Sequence, residues 1–200
     1  MHYAIQHTTQ HHAYLSSTPR KRTFKYQLIV VTQGMVLCRL GKTEYVIEAN
    51  QAFWLPFDCL TSLTFFPQTR IESIEISRRS HAFMPSNAGY VTLSPLATAL
   101  VDALAKQTND AKRQKLLAVV LDEVETWQPE LTTSKLTQAV SQWQKDTRGL
   151  SAELLLGLKL RESQKRQLSG ISQQQVIKDL FDDNAQSYQQ ICQLMLAPKH

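Results

Sequence analysis

Short apolar runs separated by turn residues fill the first half of the chain. They cover residues 26–32, 35–40, 44–48, 52–56, 62–66 and 70–77. Gly34, Gly41 and the polar stretch 49–51 fall between them. Runs of this length with turn signals between them are typical of strands in an antiparallel sandwich or barrel.

The period changes to that of a helix at about residue 93. Ser94 can cap free backbone N–H groups, and Pro95 suits the first helical position, so a helix is predicted over 94–107. A second helix is predicted from Asn109 to Trp127. Because the connection is short, the two helices are expected to form an antiparallel hairpin.

Helical patterns continue after Pro129, at about 133–146, 151–168 and 172–196. We therefore predict an α+β fold with an N-terminal antiparallel β-barrel, a helical hairpin and a C-terminal all-α segment. The predicted division is a barrel domain in 1–92, the hairpin in 93–128 and the helical domain in 129–200. Residues 1–19 are polar and rich in histidine, and we expect a flexible arm there.

Composition narrows the setting of the protein. Apolar residues make up 42% and charged residues 20% of the chain, as in ordinary globular proteins. The three cysteines are widely spaced, which favours a reducing compartment over a disulfide framework. We see no signal-peptide pattern and no membrane-length apolar run, so we expect a cytoplasmic protein without a membrane partner. The net charge of +5 permits a nucleic-acid partner.

Several kinds of chemistry lack their sequence pattern. The six glycines form neither of the usual phosphate-binding loops, and no nucleophile elbow is present. His2, His7, His11 and His12 lie in the polar opening, where a mobile segment would not hold metal ligands in fixed geometry. We expect no metal, no cofactor and no enzymatic activity.

The segment from Tyr26 to Leu63 places a strand, a glycine turn, further strands and Trp54-Leu55-Pro56 in one order. It resembles the cupin core of AraC-type transcription regulators, in which a Trp-Ile-Pro element occurs, and Ser94-Pro95-Leu96 resembles the start of their linker helices. The resemblance covers roughly residues 20–128. It implies a cupin-like sensor barrel. The His/His/Glu/His set of enzymatic metallocupins is missing, and Thr61 lies near the position of one of those histidines.

Strand alternation together with this resemblance suggests the lining of a sensor pocket. Such a pocket would be mostly apolar and would suit a small organic effector. Its predicted ligand-binding residues are Tyr26, Leu28, Cys38, Trp54, Thr61 and Leu63.

The helical segment 129–200, here called the tail, resembles a shortened DNA-binding domain of the same family. The stretch 149–152 is similar to the family's Gly-Met-Ser-Pro junction, and 158–167 to the helix that joins its two helix-turn-helix units. Residues 171–195 resemble the second unit, with Phe181-Asp182 where the family has a Gly-aromatic pair. The space after Pro129 leaves room for only one complete unit, so the other is shortened or lost.

The resemblance and the polar side chains give a set of predicted DNA contacts. They comprise Arg161, Lys165 and Arg166 on the connecting helix and Gln186, Gln189, Gln190 and Gln193 on the recognition helix. Glutamine can pair with adenine, but Asp182 and Asp183 would repel phosphates.

Three functions stay open on the sequence alone. The first is a ligand-responsive regulator that binds DNA. The second is an AraC-like interaction module that has lost DNA recognition and acts through a protein partner, and the third is a small cupin enzyme. We also expect a homodimer, built on apolar positions that span more than one face of the 109–127 helix. These positions are Leu116, Leu117, Val120, Leu121 and Val124.

Overall fold

The computed structural model describes residues 4–198. Ten strands form two sheets, and every strand pairing is antiparallel among these residues. The strands are β1 (Ile5–His12), β2 (Ser16–Ser17), β3 (Lys21–Arg22), β4 (Tyr26–Gln33), β5 (Met35–Leu40), β6 (Thr43–Glu48), β7 (Ala52–Leu55), β8 (Leu60–Phe65), β9 (Thr69–Ile76) and β10 (Gly89–Val91). The first sheet has the order β1-β9-β4-β7-β10, and the second has the order β2-β8-β5-β6, with β3 also beside β8.

Six helices follow the strands in the described part of the chain. They are α1 (Pro95–Lys106), α2 (Asp110–Val124), α3 (Lys135–Gln142), α4 (Ala152–Leu168), α5 (Gln173–Leu180) and α6 (Ala185–Met195). The side chain of Ser94 caps α1, as predicted, and the side chain of Asn109 caps α2. Ser151 likewise caps α4 by accepting a hydrogen bond from the backbone N–H of Leu154.

The molecule is built in four layers held by three apolar clusters. Helices α1 and α2 pack on the outer face of the first sheet, where Leu28, Trp54 and Ile74 are buried beneath them. A second cluster fills the space between the sheets. A third joins Leu37 and Val46 of the second sheet to α3–α6. Both faces of each sheet are therefore largely covered, which explains the continuous apolar run along β4.

The structure confirms the predicted α+β fold class, with antiparallel sheets in the N-terminal part and helices in the C-terminal part. The division at 92 and 128 stays a prediction. No helix within residues 4–198 has the length and apolar character needed to span a membrane.

The flexible arm predicted for residues 1–19 is wrong where the structure describes it. Strand β1 pairs with β9 over its whole length, from Ile5 opposite Ile76 to His12 opposite Thr69. The side chain of His7 is nearly buried and lies 2.7 Å from a carboxylate oxygen of Glu72. Main-chain pairing with β9 orders this polar segment, although its side chains lack an apolar period. His2 and His200 lie outside the described residues.

Two helical boundaries also differ from the prediction. The 172–196 stretch is two helices, because residues 181–184 form a turn in which Asp182 and Asp183 take positive φ angles of 52° and 61°. The helix predicted over 133–146 ends at Gln142.

The predicted dimer face on α2 is covered within the chain. Leu117, Val120 and Val124 are buried, and the half-buried Leu116 and Leu121 pack against the same cluster. The homodimer thus stays a prediction without its proposed surface.

Candidate ligand pocket and candidate nucleic-acid interface

A cavity of about 500 Å³ opens at one end of the barrel, between the two sheets. Its apolar lining comes from side chains that point inward from β7 and β8, including Leu55, Leu63 and Phe65. Strand β1 and the segment after β2 supply its polar rim. The cavity has the size and the mixed lining of a site for a small organic molecule.

The polar groups of the cavity are held by hydrogen bonds across the first sheet. The Lys25 ammonium lies 2.6 Å from a carboxylate oxygen of Glu75, which also accepts a hydrogen bond from the Gln6 amide at 3.0 Å. The Gln27 amide donates to the Ser73 hydroxyl at 2.9 Å. These bonds fix a cation and an amide at the mouth before any ligand binds.

His12 is the most distinctive polar residue of the cavity. Its ring stacks on Phe65 with centroids 3.7 Å apart, and its Nδ1 lies 3.2 Å from the Ser16 hydroxyl. Its Nε2 is buried and has no hydrogen-bond partner within the described residues. Burial, followed by the charge of His11, lowers the pKa of His12. A neutral ring with an unpaired nitrogen offers a polar contact to a ligand.

The structure brings together three of the predicted pocket residues. Cys38, Thr61 and Leu63 all face the barrel interior, and Thr61 and Leu63 line the cavity. The Cys38 Sγ lies 3.3 Å from the Thr61 hydroxyl. Cys38 is fully buried, and burial raises its pKa to about 12, so it is a core residue behind the cavity.

The placement of Tyr26, Leu28 and Trp54 in that pocket is wrong. All three lie on the opposite face of the first sheet, beneath α1 and α2. The Trp54 ring meets Trp127 edge-on at 5.6 Å, and its indole N–H donates to the Pro85 carbonyl at 3.0 Å. Because both faces of this sheet are covered, apolar character alone could not tell the inward strand positions from the outward ones.

The cavity also contains residues that the sequence analysis did not select. Gln10 and His12 come from β1, which was predicted to be mobile, and Lys21 and Lys25 come from the basic stretch before β4. The basic stretch was visible in the sequence as Arg20–Lys25, and its place before the first core strand is the signal that could have located the rim.

A larger cavity of about 520 Å³ lies outside the barrel, beside α1. Its lining is more polar and includes Glu48, Asn50 and Asp102. The inner cavity is the candidate ligand site, because it adjoins the barrel core and is lined by Thr61 and Leu63.

The predicted role of Arg161 in binding DNA conflicts with its position. Its two terminal nitrogens each lie 2.7 Å from an oxygen of Glu44 on β6, and Nη1 also donates to the Thr64 hydroxyl at 3.1 Å. Glu44 is buried, and the Arg161 side chain is only 20% exposed. Arg161 thus fastens α4 to the barrel, a contact between distant parts of the chain that periodicity could not predict.

The other two cations on α4 differ in accessibility. Arg166 is 28% exposed and bridges Glu162 at 3.1 Å and Asp179 at 3.2 Å. Lys165 is 69% exposed and lies 3.6 Å from Glu162. Lys165 is therefore free to reach a phosphate, whereas Arg166 would first have to leave two carboxylates.

The predicted glutamine face is exposed on α6. Four glutamines are exposed on the side of α6 that faces away from the apolar cluster shared by α3–α6. They are Gln186, Gln189, Gln190 and Gln193. Tyr188 anchors the opposite side, where its ring contacts Phe181 with centroids 5.0 Å apart. Its hydroxyl accepts a hydrogen bond from the Gln167 amide at 3.0 Å. These amides form a polar surface that can hydrogen-bond to an external partner.

No group of three or more His, Cys, Asp or Glu side chains within residues 4–198 is arranged to hold a metal ion. The expected absence of metal and cofactor stays a prediction.

Comparisons with known proteins give structural neighbours only. Neither a family model nor a curated protein matches the sequence. A structure of ToxT from Vibrio cholerae is 10% identical, with a TM-score of 0.42, and the match covers 97% of this chain and 95% of ToxT. An apo ToxT variant from strain SCE256 gives 8% identity, a TM-score of 0.45 and coverage of 98% and 94%.

A cupin superfamily protein from Desulfitobacterium hafniense matches a smaller part. It is 12% identical with a TM-score of 0.36, and the match covers 38% of this chain and 71% of that protein.

Proposed function

We propose that this protein is a cytoplasmic, ligand-responsive transcription regulator of the AraC type, in which the metal-free barrel binds a small organic molecule and α6 contacts DNA. The observation that carries the proposal is the row of exposed glutamines on α6. This helix follows α5 after a four-residue turn, as in a helix-turn-helix unit. A glutamine amide can both donate to and accept from the major-groove edge of adenine.

The barrel cavity supports the sensing half of the proposal. A ligand with an apolar body would contact Leu55, Leu63 and Phe65, and a polar end would reach His12 and Lys25. We therefore expect a small amphipathic molecule whose polar end carries hydrogen-bond acceptors or a negative charge.

The segment after β1 gives a physical connection between the cavity and α6. Gln10 and His12 line the cavity, and three residues further on the backbone N–H of Leu15 donates to the carbonyl of Met195 at 2.7 Å. Leu15 is buried in the cluster that contains α6. A ligand that shifts His12 would thereby alter the support of the C-terminal end of α6.

A second candidate function is an interaction module that no longer recognises DNA. Arg161 and Arg166 are engaged with carboxylates inside the chain. Asp182 and Asp183 are exposed directly before α6. These charges weaken phosphate binding and favour a protein partner for the glutamine face.

The test of DNA binding is fluorescence anisotropy with fragments of the adjacent promoter region. We expect the wild-type protein to prefer one fragment over a scrambled duplex, and the Gln186→Ala/Gln189→Ala double variant to lose this preference. Gln128→Ala is a matched control, because Gln128 is exposed outside the tail. Equal affinity of the wild type for all duplexes would favour the interaction module instead.

The cavity has its own test. The anionic aromatic dye anilinonaphthalene sulfonate should bind with enhanced fluorescence, and Leu63→Trp should reduce this binding by filling the cavity. Leu60→Trp is the matched control, because Leu60 lies on the same strand and is 42% exposed. Dye binding that is unchanged in Leu63→Trp would place the ligand site elsewhere.

We also propose that the protein is not an enzyme. Among residues 4–198, Glu75 is the only one with a carboxylate that lines the cavity, and this carboxylate is already bound to Lys25 and Gln6. Stoichiometric metal together with turnover of a substrate by the purified protein would overturn this.

A further inference from the structure

A second concave site, of about 380 Å³, lies at the seam between the barrel and the C-terminal helices. Its floor is the outer face of β5 and β6, and its walls are the end of α3 and the middle of α4. We call it the seam site. Its charged lining consists of Arg39, Lys42, Glu44, Lys145, Arg161, Glu162 and Lys165.

The seam site has an excess of positive charge. Five of its charged side chains are cations and two are carboxylates. Both carboxylates are already engaged, Glu44 with Arg161 and Glu162 with Arg166 and Lys165. The remaining cations, Arg39, Lys42 and Lys145, form no ion pair within residues 4–198.

Arg39 is the least satisfied of these groups. It lies directly opposite Glu44 in the pairing of β5 with β6, but both oxygens of that carboxylate are bound by Arg161. The Nε of Arg39 is buried, and no hydrogen-bond acceptor within the described residues reaches it. Buried donors are nearly always paired in folded proteins. The Arg39 side chain lacks a partner within the described part of the chain, and it lines the cavity that an external acceptor would enter.

We propose that the seam site binds the phosphate group of a small molecule. A guanidinium presents its donors in a fork that matches phosphate oxygens, and two flexible lysines can close over the remaining charge. The site is a concave space of about 380 Å³ between strands and helices, which suits a small molecule better than the rigid backbone of a DNA duplex. This site is separate from the barrel cavity and does not depend on the proposed regulator function.

Such a ligand would tie the barrel to the tail. It would touch Arg39 and Lys42 from the strand side and Lys145 from the helix side. The ligand binds only when these elements are assembled, so it stabilises the docked tail by mass action.

Isothermal titration of the full chain tests the proposal, in a phosphate-free buffer with ionic strength held constant by sodium chloride. The probes are inorganic phosphate and glycerol phosphate. We expect saturable binding, weakened at least about tenfold by Arg39→Gln, which removes the charge and the buried N–H. Lys115→Ala is the control, because Lys115 is exposed on α2 outside the site and its loss should leave affinity unchanged.

The two probes distinguish the sources of the phosphate group. Tighter binding of the ester identifies an organic phosphate, and equal binding identifies the free ion. The absence of saturable heat from both probes would overturn the proposal, and so would an unchanged affinity in Arg39→Gln. Binding of duplex DNA at the seam site in place of both probes would also overturn it, because the cations would then serve a DNA backbone. If Arg39→Gln does not fold, as judged by circular dichroism, the double variant Lys42→Ala/Lys145→Ala decides, because both lysines are exposed.

Discussion

Arg161 of α4 and Glu44 of β6 form a bidentate ion pair across the boundary between barrel and tail. Each terminal nitrogen of Arg161 lies 2.7 Å from one carboxylate oxygen of Glu44, and both side chains are largely shielded from water. Glu44 lies on the edge strand of the second sheet. Its backbone N–H donates to the Ser141 hydroxyl of α3 at 3.0 Å. The tail thus satisfies both the charge and the open edge of this strand.

The first prediction is that removal of one member of this pair destabilises the protein strongly. Arg161→Ala removes the cation that binds both oxygens of the shielded Glu44 carboxylate, which should lower the free energy of unfolding by about 3 kcal/mol. Urea denaturation measures this. The double variant Arg161→Ala/Glu44→Ala should lose less than the sum of the two single changes.

Arg148→Ala serves as the comparison for this prediction. Arg148 is paired with Asp146, but its side chain is 91% exposed. Its removal should leave the midpoint of unfolding unchanged. Equal effects of Arg148→Ala and Arg161→Ala would show that the pair with Glu44 does not fasten the tail.

The second prediction concerns the close approach of α4 to the barrel at Gly157. A Cβ added at this position would overlap Cε1 of the Phe66 ring, which is buried. Alanine favours a helix over glycine by about 1 kcal/mol, but overpacking costs about 1–3 kcal/mol. We therefore expect Gly157→Ala to lower stability by about 1 kcal/mol in urea denaturation.

A second change should reverse this loss in part. Phe66→Leu removes the ring atom that meets the added Cβ, so Gly157→Ala should cost less in that background. If the cost of Gly157→Ala is the same with Phe66 and with Leu at position 66, steric contact at this point is not its cause.

The third prediction is an alkaline loss of stability that arises from Cys38. Burial raises the pKa of this thiol from 9.0 to about 12 in the folded protein. Between these values the unfolded chain releases a proton that the folded chain keeps, so the unfolded state is favoured as pH rises. The free energy of unfolding therefore falls by about 1.4 kcal/mol for each pH unit between these two pKa values. Below them the thiol is protonated in both states, so it adds no pH dependence.

Urea denaturation between pH 8 and 11 measures this dependence. Cys38→Ala creates a small cavity and lowers stability at every pH, so the comparison is between slopes rather than between absolute values. The variant should have a shallower slope above about pH 9 than the wild type. Cys59→Ala is the control, because Cys59 is only half-buried and should change the slope less. Parallel curves for wild type and Cys38→Ala would contradict the prediction.

Several strands could be predicted from the sequence because their turns are encoded locally. The run 35–40 coincides with β5, and Gly41 adopts the positive φ of 61° that a tight turn before β6 needs. Strand β1 could not be found in this way. It is an edge strand whose partner, β9, lies more than fifty residues away, and its polar side chains carry no period.

The candidate sites were predictable only in part. Thr61 and Leu63 were correctly placed inside the barrel, but Leu28 and Trp54 were assigned to the wrong face of a sheet that is buried on both sides. The exposure of the glutamines on α6 could be predicted from the helical period. The ion pair of Arg161 with Glu44 could not, because the two residues are 117 positions apart and no local pattern links them.

The last prediction concerns the salt dependence of DNA binding. Arg161 is bound to Glu44 and Arg166 to Glu162 and Asp179, so the exposed cations of α4 and α5 are Lys165 and Lys178. Each phosphate contact contributes about −0.9 to the slope of log K against log salt concentration, so two contacts give a slope of about −2. Anisotropy titrations at several salt concentrations measure it.

Variants separate the roles of these cations. Lys165→Ala should make the slope shallower by about 1 and weaken all duplexes alike, because a phosphate contact carries no sequence information. The Arg161→Ala variant should leave the slope unchanged when it is measured at a temperature at which it is folded. The reason is that the charge of Arg161 is already neutralised by Glu44 in the wild type. A wild-type slope of about −6 or steeper would require more phosphate contacts than these side chains can make. The carboxylates of Glu162 and Asp179 would then have to release Arg166 on binding, so that Arg166 joins Lys165 of the same helix in contacting phosphates.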